Sequence, residues 1–219
     1  MLVASEPLHW SAWEKFLGPL SLPYNEQEIR GLVGRTAPEI LHVLLDRHQP
    51  GWETRGLDLN ALALAKNDIY LEIARSRLGA YPGVAEGLDW LRAQGIRTAV
   101  VSNARRREVE SAVTIAGIHA RLDLIVSRDD VPTPKPDPGM YLLAAASLGA
   151  EPGDCLAIED SPPGLEAALM GRIPTAAVTT NFSRSEVEAP VPGRPDLRPV
   201  WVGESMLEFF AWVRSLAPR

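Results

Sequence analysis

The chain has 219 residues, of which 46% are hydrophobic, 23% charged and 6% aromatic, the profile of a globular protein rather than a disordered, collagen-like or disulfide-stapled one. Lys and Arg number 22 against 28 Asp and Glu, a net charge of −6, so no broad positive field exists to attract nucleic acid or anionic lipid. At roughly 150 residues per domain the length fits one large domain, or one with a smaller insert. The lone Cys155 cannot form an internal disulfide, and no apolar run approaches the roughly 20 residues that cross a bilayer. The opening MLVASEPLHW lacks the basic start and apolar stretch of a secretion signal. A soluble, cytoplasmic protein is expected, with no nucleic-acid or membrane partner.

Up to about residue 78 the apolar residues recur at helical spacing and nothing reads as a strand. Leu8, Ala12, Trp13, Phe16 and Leu17 form one stripe, Ile40, Val43 and Leu44 a second, and Leu62, Ala65, Ile69, Ile73 and Leu78 a third. After Tyr81-Pro82-Gly83 a helix carries Val84, Leu88 and Leu91 and stops at Gly95. The apolar run Arg97 to Val101 then reads as a strand, followed by further runs at Leu122 to Val126, Cys155 to Ile158, Thr175 to Val178 and Pro199 to Val202. Helical stretches at 105–117, 138–149 and 161–171 separate most of them, the alternation that a parallel sheet with crossover helices requires. The Pro-rich Ala189 to Pro199 reads as a loop and Glu204 to Leu216 as a closing amphipathic helix. The fold class is therefore α/β, a doubly wound (Rossmann-like) parallel sheet following a helical region.

In such sheets ligands gather beyond the carboxyl ends of the strands. Ser102 and Asn103 follow one strand, Lys135 lies in the loop VPTPKPDP after the next, and Glu159, Asp160 and Ser161 follow a third. A hydroxyl, an ammonium and two carboxylates at consecutive strand ends suit a phosphate group with Mg²⁺: the hard cation takes carboxylate oxygens, while Lys and hydroxyl donors neutralise phosphoryl oxygens. Each residue alone has an ordinary alternative. Ser102 could cap the following helix, Lys135 could be a solvated loop lysine, and Glu159 and Asp160 could be helix-start carboxylates favoured by the macrodipole. His42, His48 and His119 show no metal-ligand spacing, and Cys155 reads as packing.

The motifs carrying these residues resemble the haloacid dehalogenase-like hydrolases, in the helical-capped branch that includes β-phosphoglucomutase and sugar-phosphate phosphatases. YPGVAEGLDWLRAQGIRTAVVSNA, KPDPGMYLLAAASLG and CLAIEDSPPGLEAALMG resemble the family's second, lysine and metal-binding motifs, in that order, and SEPLHWSAW the segment after its nucleophile loop. The resemblance implies that Ser102 binds the transferring phosphoryl group, that Lys135 stabilises its charge, and that Asp160 with Glu159 holds Mg²⁺. It makes 6–78 a helical cap and 1–5 with 79–219 the α/β core. Within the cap, Gly34-Arg35-Thr36 resembles a specificity loop and Lys66-Asn67-Asp68 a segment whose lysine reaches substrate, while Glu6, His9 and Trp13 match an ExxHxxAW pattern. Arg35, Lys66, His9 and Asn103 are accordingly candidate substrate-binding residues, and Trp13 is expected to be structural.

The family's centre is a first strand ending in an Asp-x-Asp loop, where one Asp attacks phosphorus and the other acts as acid and base. Aligned on SEPLH, Met1 falls just past that loop, so neither Asp nor the preceding core strand is present. Burying the four or five apolar side chains of a central strand contributes roughly 1.5 to 3 kcal/mol each, comparable in sum to a domain's net stability of about 5 to 15 kcal/mol. The natural protein is therefore expected to begin upstream. The function expected of that longer form is Mg²⁺-dependent phosphatase action on a small phosphorylated metabolite, a sugar phosphate by preference, through an aspartyl-phosphate. A phosphomutase and a catalytically inactive phosphate-binding pseudo-enzyme are the alternatives. Dehalogenase chemistry fits less well, because the Glu159-Asp160 pair argues for a cation. The oligomeric state stays open.

Overall fold

The computed structural model describes residues 2–32 and 35–216. They divide into two compact units: a helical one, Ala4–Leu78, and an α/β one formed by the few residues before it and the chain from Gly79 onward.

The helical unit has four α-helices, α1 Glu6–Leu17, α2 Glu26–Arg30, α3 Ala37–His48 and α4 Leu59–Arg77. Helix α1 buries the stripe Leu8, Ala12, Trp13, Phe16 and Leu17 and gives way at Gly18-Pro19 to a 3₁₀ turn. Thr36 and Glu39 cap α3 reciprocally, satisfying two orphan amides at once. Asp58 accepts from the amides of Asn60 and Ala61 at 2.9 and 3.1 Å and so starts α4. Leu17, Ile29, Leu41, Leu44 and Leu45 form the centre of this unit's core. The short α2, capped by Asn25, is too brief to leave a periodic signature.

The α/β unit opens with α5 Val84–Ala93 and then alternates: β1 Ala99–Ser102, α6 Arg106–Ile115, β2 Leu124–Ser127, α7 Gly139–Ser147, β3 Ala157–Glu159, α8 Pro162–Met170, β4 Thr175–Val178, α9 Arg184–Val187, β5 Trp201–Gly203 and α10 Met206–Leu216. All strand pairs are parallel: β1 with β2, and β3 with β4 with β5. The strands form two separate ladders, β1-β2 and β3-β4-β5. Side chains alternate across them. Val100, Ile125, Ile158, Ala176 and Val178 meet α5, α6 and α10, while Val126 and Ala177 meet the helices of the opposite layer, α7 and α8 respectively. Helices on both faces make this the doubly wound α/β class.

Four of the five strands begin two residues later than the apolar runs indicate, and β4 begins where its run does. At the second, the Leu122 amide closes a turn onto His119, and the amides of Asp123 and Leu124 both donate to the Thr98 carbonyl, so the ladder starts at Leu124. At the last, Pro199 has no amide and Val200 donates to the Thr175 carbonyl at 2.8 Å, leaving Trp201 to start the strand.

Candidate active site

The carboxyl ends of β1, β3 and β4 carry Ser102, Glu159 with Asp160, and Thr180 with Asn181, and the loop between β2 and α7 brings Lys135 to them. Lys135 is the hub. Its Nζ donates to the Val101 carbonyl at 3.0 Å, forms an ion pair with the Glu159 carboxylate, and stands 4.8 Å above the ring of Tyr141. Both members of the ion pair are almost fully buried, with side chains 8% and 7% exposed. A buried pair of this kind persists only when its remaining polar atoms are satisfied. Here Glu159 Oε1 also accepts from the Tyr141 hydroxyl at 2.5 Å, and Oε2 from the Asp160 amide and the Ser161 hydroxyl, each at 3.2 Å. Burial, followed by the Glu159 charge, holds the Tyr141 phenol well above its ordinary pKa, so it stays a proton donor to Glu159.

Asn103, a candidate substrate-binding residue, turns its side chain to the Lys135 backbone. Its amide clamps the Lys135 peptide from both sides, donating to the carbonyl at 3.1 Å and accepting from the amide at 2.9 Å. That fixes where the lysine leaves its loop, which makes Asn103 a positioning residue as the structure stands. Ser102 Oγ accepts from the Ala104 amide at 3.2 Å. The ordinary capping alternative does not describe it, since the following helix starts at Arg106 with Arg105 at its cap.

Asp160 is 8% exposed, and its Oδ2 accepts from the Thr180 hydroxyl at 2.9 Å and the Asn181 amide at 2.7 Å. Glu159 meets donors with both oxygens, one of them the Lys135 amine, which makes it the less suited of the two expected Mg²⁺ ligands. Among the described residues no three His, Cys, Asp or Glu side chains are arranged to hold a metal. One protein carboxylate is nonetheless an ordinary donor set for Mg²⁺ when substrate phosphate and water complete the octahedron.

In the helical unit, the Lys66 amine lies 2.9 Å from His9 Nδ1 and over the rings of Trp13 and Tyr70, at 5.1 and 5.6 Å. His9 stacks on Tyr70 with centroids 3.9 Å apart. Burial, then the Lys66 charge, pushes the His9 pKa well below 6.5 and leaves the imidazole neutral at neutral pH. Lys66 is 5% exposed, so a substrate contact there asks the amine to leave these partners. Arg35 is exposed, and Gly34 lies outside the described residues.

Sequence reasoning missed Tyr141, Thr180 and Asn181. The last two sit just beyond β4 and were open to the same strand-end logic. Tyr141 occupies the first turn of α7 six residues after Lys135, a position without a signal of its own.

A family profile described as hydrolase, haloacid dehalogenase-like hydrolase, matches residues 2–170. The chain belongs to that family. It is 29% identical over 191 residues to Protein CbbY of Rhodobacter capsulatus, covering 84% of each chain. It is 28% identical over 172 residues to the phosphorylated carbohydrates phosphatase of Thermotoga maritima, covering 77% of this chain and 76% of the other. Among solved structures, CbbY from Rhodobacter sphaeroides in complex with phosphate superposes with a TM-score of 0.79 at 25% identity, over 95% of this chain and 92% of that one. The family places the protein among enzymes of the hydrolase and phosphatase type. Among the described residues no helix is long and apolar enough to cross a membrane.

Proposed function

We propose that this haloacid dehalogenase-like hydrolase is a Mg²⁺-dependent phosphatase of a small phosphorylated metabolite, with a sugar phosphate the favoured substrate. The observation that carries the reading is the reach of the buried Lys135 amine, which meets the Val101 carbonyl just before Ser102 and the Glu159 carboxylate just before Asp160. The names of relatives, a phosphatase of phosphorylated carbohydrates and a phosphate-bound CbbY, support the substrate class.

In this reading the Ser102 hydroxyl donates to one phosphoryl oxygen and Lys135 offsets the charge that develops on the others. Asp160 is the protein ligand for Mg²⁺, which supplies charge neutralisation at the phosphoryl group. Asn103, Tyr141 and Glu159 hold the lysine in place. In the mechanism that the family resemblance implies, the attacking group is an aspartate carboxylate. Its oxygen bonds to phosphorus as the P–O ester bond breaks and the leaving oxygen takes a proton from a second, acid–base carboxylate; that carboxylate then takes a proton from the water that hydrolyses the aspartyl-phosphate to inorganic phosphate and the free carboxylate. Residues 6–78 are the cap that the resemblance implies, with Arg35 as its candidate substrate contact.

Phosphate release from a panel of sugar phosphates with Mg²⁺ tests this. The protein is expected to turn over at least one of them, and Lys135→Ala to lose at least about 10³-fold in kcat, in line with loss of a preorganised charge. Phosphate binding without release from any member of the panel would overturn the phosphatase reading and leave the inactive phosphate-binding one.

A further inference from the structure

We propose that a cavity beyond the carboxyl ends of β4 and β5 is a binding site for a small organic cation, an ammonium carried on an apolar ring. This stands on the lining of the cavity and not on the phosphatase reading. The cavity measures about 310 Å³, and residues 81–82, 179–180 and 204–207 line it, all within the α/β unit. That volume is at the lower end of small-ligand sites, room for a single ring with a short arm. Pro82, Met206 and Leu207 give it an apolar wall. Leu207 takes its place there because position 83 has no side chain: a Cβ at Gly83, whose φ is +83°, would stand 2.6 Å from Leu207 Cδ2. Leu207 is still 56% exposed, so a ligand ring laid against it removes apolar surface from water.

The polar side of the cavity selects by charge. The start of α10 is not left open for an anion: the Glu204 amide donates to the Glu208 carboxylate at 3.0 Å and the Glu208 amide to the Ser205 hydroxyl at 3.2 Å, so the helix caps its own first turn. No Lys, Arg or His lines the cavity. The Thr179 and Thr180 hydroxyls give their protons to the Gly203 carbonyl and the Asp160 carboxylate, at 3.5 and 2.9 Å, which leaves their lone pairs to accept. Glu204 is exposed, and its carboxylate meets no base among the described residues. Acceptor oxygens, carboxylate charge and an apolar wall together fit an N–H donor with positive charge on a hydrocarbon body, and disfavour a carboxylate or phosphate. Because Glu204 is open to water, its charge contributes no more than about fivefold in affinity, and burial of the ring supplies the rest.

The test follows the backbone amide resonances of the protein during titration with benzylamine, benzyl alcohol and benzoate, which share a ring and differ in charge. Benzylamine is expected to bind in the millimolar range, with shifts at Thr179, Thr180, Ser205 and Leu207 that saturate together. Benzyl alcohol should bind about fivefold more weakly, and benzoate more weakly still. Glu204→Gln, a change at an exposed position that should leave Tm in place, is expected to bring the amine to the level of the alcohol. Leu207→Ser should weaken amine and alcohol alike. Benzoate binding as tightly as benzylamine, an amine affinity unaltered in Glu204→Gln, or shifts confined to other residues overturns the site. So does the absence of any saturable shift. No arm contains phosphate or Mg²⁺, so failure here and failure of the phosphatase reading are separable.

Discussion

Lys135 and Glu159 show why buried charges in this site are best treated as a unit. Leaving either alone in a low-dielectric interior costs far more than removing both. Lys135→Met is expected to lower stability by about 3–5 kcal/mol, because it strands the Glu159 carboxylate. Lys135→Met with Glu159→Gln should recover more than half of that loss in urea melts. A double variant as unstable as the single would show that the lysine acts through packing and not through its partner. Gly164 sets two effects of opposite sign against each other. Alanine in a helix is favoured over glycine by about 1 kcal/mol, but a Cβ at Gly164 would stand 2.1 Å from the Glu159 Cδ. Overpacking of that severity costs about 1–3 kcal/mol, so Gly164→Ala is expected to destabilise. The displacement of Glu159 should also loosen Lys135, visible as a shifted lysine Nζ resonance.

Among the elements, α6 and β2 are tied through one ion pair at their ends. Arg106 donates to Asp130 at 2.7 Å, and the Ser127 amide and hydroxyl donate to the same carboxylate. Arg106 first, then Ser127, lowers the Asp130 pKa from 3.8 to about 2. A carboxyl whose folded pKa lies below its unfolded one stabilises the fold above the unfolded value and loses that contribution as pH falls through the window. Stability should therefore drop between about pH 4 and 2, by about 1 kcal/mol once solvent screening of the exposed arginine is allowed for. Asp130→Asn should flatten that segment of the pH profile in urea melts, and an unchanged slope would assign the acid sensitivity elsewhere. The elements themselves were largely legible in the sequence. Long apolar stripes marked α1, α3 and α4, and apolar runs between helical stretches marked all five strands. α2 and α9 were not, being five and four residues long and so shorter than two helical turns. Ser102, Lys135 and Asp160 could be singled out because topology alone sends strand ends to one rim. Asn103 and Glu159 were recognisable as polar residues at that rim, but which donors they meet is decided by tertiary contacts. The same holds for Tyr141, whose hydroxyl finds its partner 18 residues away.

At the scale of the whole molecule, the two units carry separate cores. The helical cluster draws its residues from 10–69, whereas the clusters around the sheet draw theirs from 2–3 and 80–213. Each of these clusters is built from residues of one unit. Leu44 is 1% exposed at the centre of the helical core, and Leu44→Ala there should cost about 2–5 kcal/mol through lost transfer energy and the cavity left behind. If the units open independently, that loss falls on the amides of α1, α3 and α4, whose exchange should quicken, while Ala176 to Val178 in β4 keep their protection. The reciprocal change, Val178→Ala in the sheet core, should leave α3 protected. Equal acceleration in both units from either substitution would mean that they unfold as one cooperative body despite their separate cores. Independent opening would instead allow the helical unit to fluctuate without disturbing the buried Lys135 and Glu159 pair. The geometry of the rim would then be set by the α/β unit alone.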